Sequence, residues 1–179
     1  EVSSVAFRTV SWAELPAWAR AEAPMPPGRI LCHGDLHLGQ LVRLPSVGWR
    51  LIDVDDLGLG VPAWDLARPA ASFACGVLGA AEWTRFLDAY RAAGGPAVSV
   101  AADPWPALDV PARALSVQVA ALSLTKAQAT GRPLDEIEQA VIDACDRMAG
   151  VPVTEQAPDA TRTTQRVALP GEGGRSAAK

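Results

Sequence analysis

The 179-residue chain is 49% hydrophobic and carries a formal net charge of -4 from 16 basic and 20 acidic residues. That is enough apolar material for one domain with a sizeable core, and the lack of any basic run excludes the electrostatic footprint that nucleic-acid binding needs. Cys32, Cys75 and Cys145 are odd in number, far apart and set in apolar stretches, which suits reduced core thiols in a cytoplasmic protein better than a disulfide framework. The longest nearly apolar stretch, Pro69 to Ala81, falls short of the ~20 residues that span a bilayer, and no signal peptide opens the chain. Neither a nucleic-acid nor a membrane partner is expected.

Ser11-Trp12-Ala13-Glu14 has the form of a capping box, so a short helix is predicted to start there and to end before the breaker cluster Pro24, Pro26, Pro27 and Gly28. Three extended segments follow: Arg29 to Cys32, Gln40 to Leu44, and Trp49 to Val54, with Pro45 to Gly48 as the turn between the last two. Together they predict a β-hairpin carrying a loop at each end. From Asp65 the pattern becomes helical, with Asp65 placed to cap the first helix and Pro69 early enough to be tolerated. The second helix sets Trp83, Phe86, Leu87 and Tyr90 on one face and stops at Gly94-Gly95. A third, starting after Pro111, aligns Ala112, Leu115, Val119 and Leu122, and a fourth, Pro133 to Gly150, buries Leu134, Ile137, Val141, Ala144 and Met148. Asp135 and Glu136 then lie at the positive end of that helix dipole.

The densest polar cluster within apolar flanks is Ile30-Leu31-Cys32-His33-Gly34-Asp35-Leu36-His37-Leu38-Gly39-Gln40, which holds both histidines of the chain. A second, Leu51-Ile52-Asp53-Val54-Asp55-Asp56-Leu57-Gly58, follows a strand that returns its acids toward the first. Phosphoryl transfer needs one group to orient and deprotonate an attacking hydroxyl, and oxygen ligands to hold magnesium against the phosphates. An aspartate followed five positions later by an amide, with an aspartate beyond a hairpin, supplies both. Asp35 is then the proton acceptor, the Gln40 carbonyl and the Asp53 carboxylate are magnesium ligands, and Asp55 is a further acid on the same face as Asp53.

His33-Gly34-Asp35 with Gln40, then Ile52-Asp53-Val54-Asp55 and Asp65-Leu66-Ala67, resembles the aminoglycoside phosphotransferase and choline kinase-like family. Its signatures read H-G-D-x-x-x-x-N and I-D-x-[DE] followed by D-[LI]-A. The resemblance implies a mainly helical α+β fold, the C-terminal lobe of a protein-kinase-like architecture, with a small hairpin carrying the catalytic and metal loops. It also implies ATP as co-substrate, magnesium as cofactor and a small-molecule hydroxyl acceptor. Asp35 matches the catalytic aspartate and Asp53 the magnesium-binding one; Asp65 matches an acid that braces the catalytic loop, and His33 and Gly34 match residues that shape it. Glutamine stands at Gln40 where the family usually has asparagine; the extra methylene requires the loop to recede or the metal contact to become indirect. The wording His-Leu-Gly-Gln is similar to the maltokinase branch, whose motif also carries glutamine.

Such kinases are bilobal, and the smaller lobe carries a glycine-containing phosphate loop and a lysine on the nucleotide phosphates. Neither precedes His33, since the only lysines are Lys126 and Lys179. The expected organisation is a helix and linker over 1–28, a kinase-like C-lobe over 29–150 and a disordered tail over 151–179, with the N-terminal nucleotide-binding lobe absent and activity of the chain alone weak. Against these readings, His33 is more often architectural than catalytic, His37 and Trp64 are candidates for substrate contact, and Gly58 and Gly60 read as a tight turn. Two other functions compete. One is a metal-dependent hydrolase built on His33, Asp35, His37 and Asp53; the other is a non-catalytic binding or scaffold lobe.

Overall fold

In the computed structural model, which describes residues 12–154, four short strands form two antiparallel ladders. Strand β1 (Ile30–Cys32) and strand β2 (Leu41–Leu44) are separated by the first polar loop; strand β3 (Gly48–Leu51) and strand β4 (Gly58–Gly60) are separated by the second. β1 pairs with β4, Cys32 opposite Gly58, while β2 pairs with β3, Leu41 opposite Leu51. The end of β1 thus lies against the start of β4, and the start of β2 against the end of β3. Loops 33–40 and 52–57 therefore run side by side. The hairpin is β2–β3, as the Pro45 to Gly48 turn predicts. β4 falls where a tight turn was expected, and the chain ahead of β1 presses on its end: a Cβ on Gly28 would lie 1.9 Å from the Gly60 carbonyl carbon, so only glycine fits at Gly28.

Four helices follow: α1 (Ala67–Ala74), α2 (Ala80–Ala92), α3 (Trp105–Thr130) and α4 (Glu136–Met148), with a 3-10 helix, Pro62–Leu66, leading into α1. The fold is α+β and mainly helical, with small antiparallel ladders against helices. One core gathers Ala63, Leu66, Ala70, Trp83, Leu87, Leu108 and Ala112, lined by Phe73 stacked on Trp83 at 5.2 Å and on Trp105 at 6.1 Å. The second joins Cys75, Val117, Ala120, Val141, Ile142, Ala144 and Cys145. Burial pushes the Cys145 thiol up to about 12, with Cys75 nearby adding to the shift; all three cysteines are buried and free.

Several expected boundaries move. The helix expected from Ser11 is helical in its described part only at Trp12 and Ala13, and then becomes a run of turns. Pro16 has no N–H to give the Trp12 carbonyl, which accepts instead from Leu15 at 3.2 Å. Ser11 lies outside the described residues, and the Glu14 carboxylate accepts from the Gly150 N–H at 2.8 Å. α3 begins at Trp105, with Pro111 inside it rather than before it. Leu108, Val110 and Pro111 are all buried there, and their packing outweighs the hydrogen bond that proline forgoes. Leu122 and Ile137, expected in the core, are 62% and 60% exposed. The buried face of α3 includes the small side chains Ala120, Ser123 and Ala127, so a pattern of large apolar residues misplaces the seam.

By length and composition α3 is also apolar enough to cross a membrane, a feature the apolar-run reading missed; half of its most apolar window is buried within the lobe, against α1 and α4. The expected tail starts as a strap. Arg113 donates to the carbonyls of Met148 and Val151 at 3.2 and 2.9 Å, and Thr154 N–H donates to Asp109 at 2.7 Å. The remainder of the expected tail, 155–179, lies outside the described residues.

Candidate functional site

The two neighbouring loops are fastened to each other and to the helices largely through backbone groups. His33 and Gly34 donate their amide N–H groups to the two oxygens of Asp65, at 2.9 and 3.1 Å. Asp65 lies in the 3-10 helix, and the residue preceding α1, Leu66, makes no side-chain cap. The capping role expected of Asp65 is thus replaced by a brace on the first loop. Gly34 adopts φ +90°, and a Cβ there would meet the Asp56 carbonyl oxygen at 2.7 Å, so the first loop presses on the second at the residue before Asp35.

His33 is buried, and its Nε2 lies 2.9 Å from the Ile52 carbonyl oxygen. A carbonyl only accepts, so Nε2 carries the proton. Ile52 N–H donates to the Gln40 carbonyl oxygen at 2.9 Å. The Gln40 side chain, only 5% exposed, donates through Nε2 to Asp53 Oδ2 at 2.6 Å. An ionised carboxylate accepts but cannot donate, which fixes the NH₂ end of the amide toward Asp53. Asp53 has φ +59°, a left-handed conformation that aspartate tolerates better than most side chains.

Asp35 opens to solvent. Its Oδ1 accepts from Arg68 Nη2 at 3.1 Å, and its Oδ2 is 3.8 Å from His37 Nε2. The other His37 nitrogen, Nδ1, accepts from Gly39 N–H at 3.0 Å and so caps the 3-10 helix Leu38–Gln40. This leaves the neutral ring's proton on Nε2, the atom that faces Asp35. Arg68 is the residue that sequence reasoning overlooked; its only signal is a cation three positions after Asp65, one helical turn from the brace.

The remaining candidates are placed less centrally. The alternation that put Asp55 on the Asp53 face does not apply, because the strand ends at Leu51 and Asp55 lies in an exposed turn beyond left-handed Asp53. Trp64 packs edge-on against Trp18 at 6.3 Å, beneath the segment that precedes β1. Cys32 is no nucleophile: burial, then the nearby Asp65 carboxylate, pushes its thiol up and keeps it protonated. Among the described residues no three His, Cys, Asp or Glu side chains converge as a metal-holding set, so the hydrolase constellation of His33, Asp35, His37 and Asp53 is not assembled. His33 Nε2 is committed to Ile52, and His37 Nδ1 to Gly39.

Against known proteins, the family model described as Phosphotransferase enzyme family matches residues 4–109, more than half of the 179. The chain belongs to the phosphotransferase enzyme family. Comparisons with curated proteins and with solved structures gave no match. The phosphotransferase match takes in both loops, all four strands, α1 and α2, and stops within the first turn or so of α3. The braces from Asp65 and the contacts between the loops thus fall wholly inside the region that carries the family's pattern.

Proposed function

We propose that this phosphotransferase lobe transfers the γ-phosphate of ATP to a hydroxyl of a small polar molecule, with Asp35 as the proton acceptor and Asp53, held by Gln40, as the magnesium-binding end. The observation that supports this best is the fastening of the two loops, His33 to Ile52 and Gly34 against Asp56, which brings the segments bearing Asp35 and Asp53 alongside each other. Asp35 is the one carboxylate of the first loop, is exposed, and is held by a single Arg68 contact and the His37 ring. An incoming hydroxyl that displaces either one meets an oriented acceptor oxygen.

The donor set fits magnesium. Asp53 supplies a hard, charged oxygen: Oδ2 takes the Gln40 N–H, and Oδ1 carries no hydrogen bond among the described residues. Held by Asp53, magnesium would supply positive charge to offset that of the nucleotide phosphates. His37, between Asp35 and the 3-10 helix, is half-buried, and a direct substrate contact would fall to its Nε2, the atom beside Asp35. Trp64 and Asp55 are left as outer contributors to the acceptor side. The nucleotide-binding lobe, with its glycine loop and lysine, is supplied by a longer form of this chain or by a separate chain, in the cytoplasm.

The test is ADP formation from Mg-ATP across sugars, amino alcohols and aminoglycosides, with the nucleotide lobe supplied. With the accepted substrate, Asp35→Ala is expected to lower turnover by roughly 10²–10⁴-fold while leaving the melting temperature unchanged, since Asp35 is exposed. Near-normal turnover by the variant removes Asp35 from the chemistry. No transfer to any acceptor, with ligand binding retained, favours the scaffold reading. Robust transfer by the 179-residue chain alone contradicts the need for a second lobe.

A further inference from the structure

The segment that delivers Asp53 is held at consecutive groups: Ile52 N–H by the Gln40 carbonyl at 2.9 Å, Ile52 C=O by His33 Nε2 at 2.9 Å, and Asp53 Oδ2 by Gln40 Nε2 at 2.6 Å. Gln40 supplies two of the three, one from its backbone and one from its side chain. A left-handed non-glycine residue persists only where its surroundings over-determine it, and Asp53 at φ +59° is such a residue. The reach matters. Asparagine, one methylene shorter, would leave its amide about 1.5 Å back along the chain, out of hydrogen-bond range of Asp53 from the same backbone position.

We propose that Gln40 is a positioning residue. Its amide holds Asp53 in the left-handed conformation with Oδ1 free, so that Gln40 acts on the metal through Asp53 and not as a ligand. The glutamine at this position then serves a different purpose from an asparagine whose carbonyl would meet the ion. This rests on the magnesium role given to Asp53 above, but the hydrogen bond and the backbone conformation are testable without it.

The experiment is a double-mutant cycle on the 179-residue chain in chelator-containing buffer, using Gln40→Leu, Asp53→Gly and the pair, read by thermal unfolding. Glycine fits φ +59° without strain, which keeps the Asp53 variant folded. Coupling of roughly fivefold or more in the unfolding equilibrium is expected; additive effects overturn the proposal. Manganese(II) binding, followed by electron paramagnetic resonance, then tests the role toward metal. Gln40→Asn and Gln40→Leu are expected to weaken it alike, by about tenfold, the usual loss on removing a group that orients a ligand. If Gln40→Asn retains the parent affinity while Gln40→Leu loses it, the side-chain carbonyl is a ligand and the proposal falls. Clear coupling with no manganese bound by the parent chain leaves the positioning of Asp53 standing and removes the magnesium reading instead.

Discussion

Gly34 is required on two counts at once. It combines φ +90° with a backbone neighbour 2.7 Å from where a Cβ would stand, and that neighbour is the Asp56 carbonyl, which cannot swing away as a side chain can. Gly34→Ala is expected to destabilise the protein by about 1–3 kcal/mol, measured by urea unfolding; a change within ~0.5 kcal/mol of the parent would show that the loops do not press together there. The candidate residues stood out in the sequence because aspartates, an amide and histidines inside apolar flanks match a known family's spacings, and the fold brings the two loops that carry them together. Their partners were less so. Arg68 reaches Asp35 across 33 positions, and no local pattern announces a contact that only the fold creates. The left-handed backbone of Asp53 was equally hidden, since aspartate adopts it only where neighbours hold it.

Elements were read well where local signals agree and misread where tertiary packing overrides them. α4 is the clearest success: Asp135 accepts from Glu138 N–H at 2.8 Å and Glu138 accepts from Asp135 N–H at 3.0 Å, a reciprocal cap at the end where the acids were expected. Arg132 adds a two-point ion pair to Glu138. The Arg132 guanidinium, with the Asp135 N–H second, holds the Glu138 carboxyl down at about 2 against an ordinary 4.5. Because the folded value is the lower one, the stabilisation is complete above the ordinary value and is lost as pH falls from there toward about 2. Melting temperature should therefore drop more steeply with acid in the parent than in Glu138→Gln over that window; parallel curves would mean the pair contributes nothing. α3 shows the opposite lesson. Its start was hidden by Pro111 and its buried face by small residues, because alanine and serine let two helices approach without marking a large apolar stripe.

At the scale of the molecule, the two-ladder arrangement sets the two polar loops side by side. β1 and β4 close around the β2–β3 hairpin, so the loops leaving β1 and β3 must lie together, and Asp65 at the entry to α1 locks the first of them to the helical core. The sequence made the hairpin visible but not the β1–β4 pairing, because two three-residue strands, one of them Gly-Leu-Gly, carry no alternation to read. The central claim is that both loops serve one magnesium–phosphate centre, and the most direct measurement of it is paramagnetic broadening of backbone amides in the 179-residue chain titrated with manganese(II). The amides of Gly34, Asp35 and Gln40 should broaden together with those of Asp53 and Val54 at the same low metal concentration. Broadening confined to one loop, or centred on a distant acidic residue such as Asp103, would contradict it.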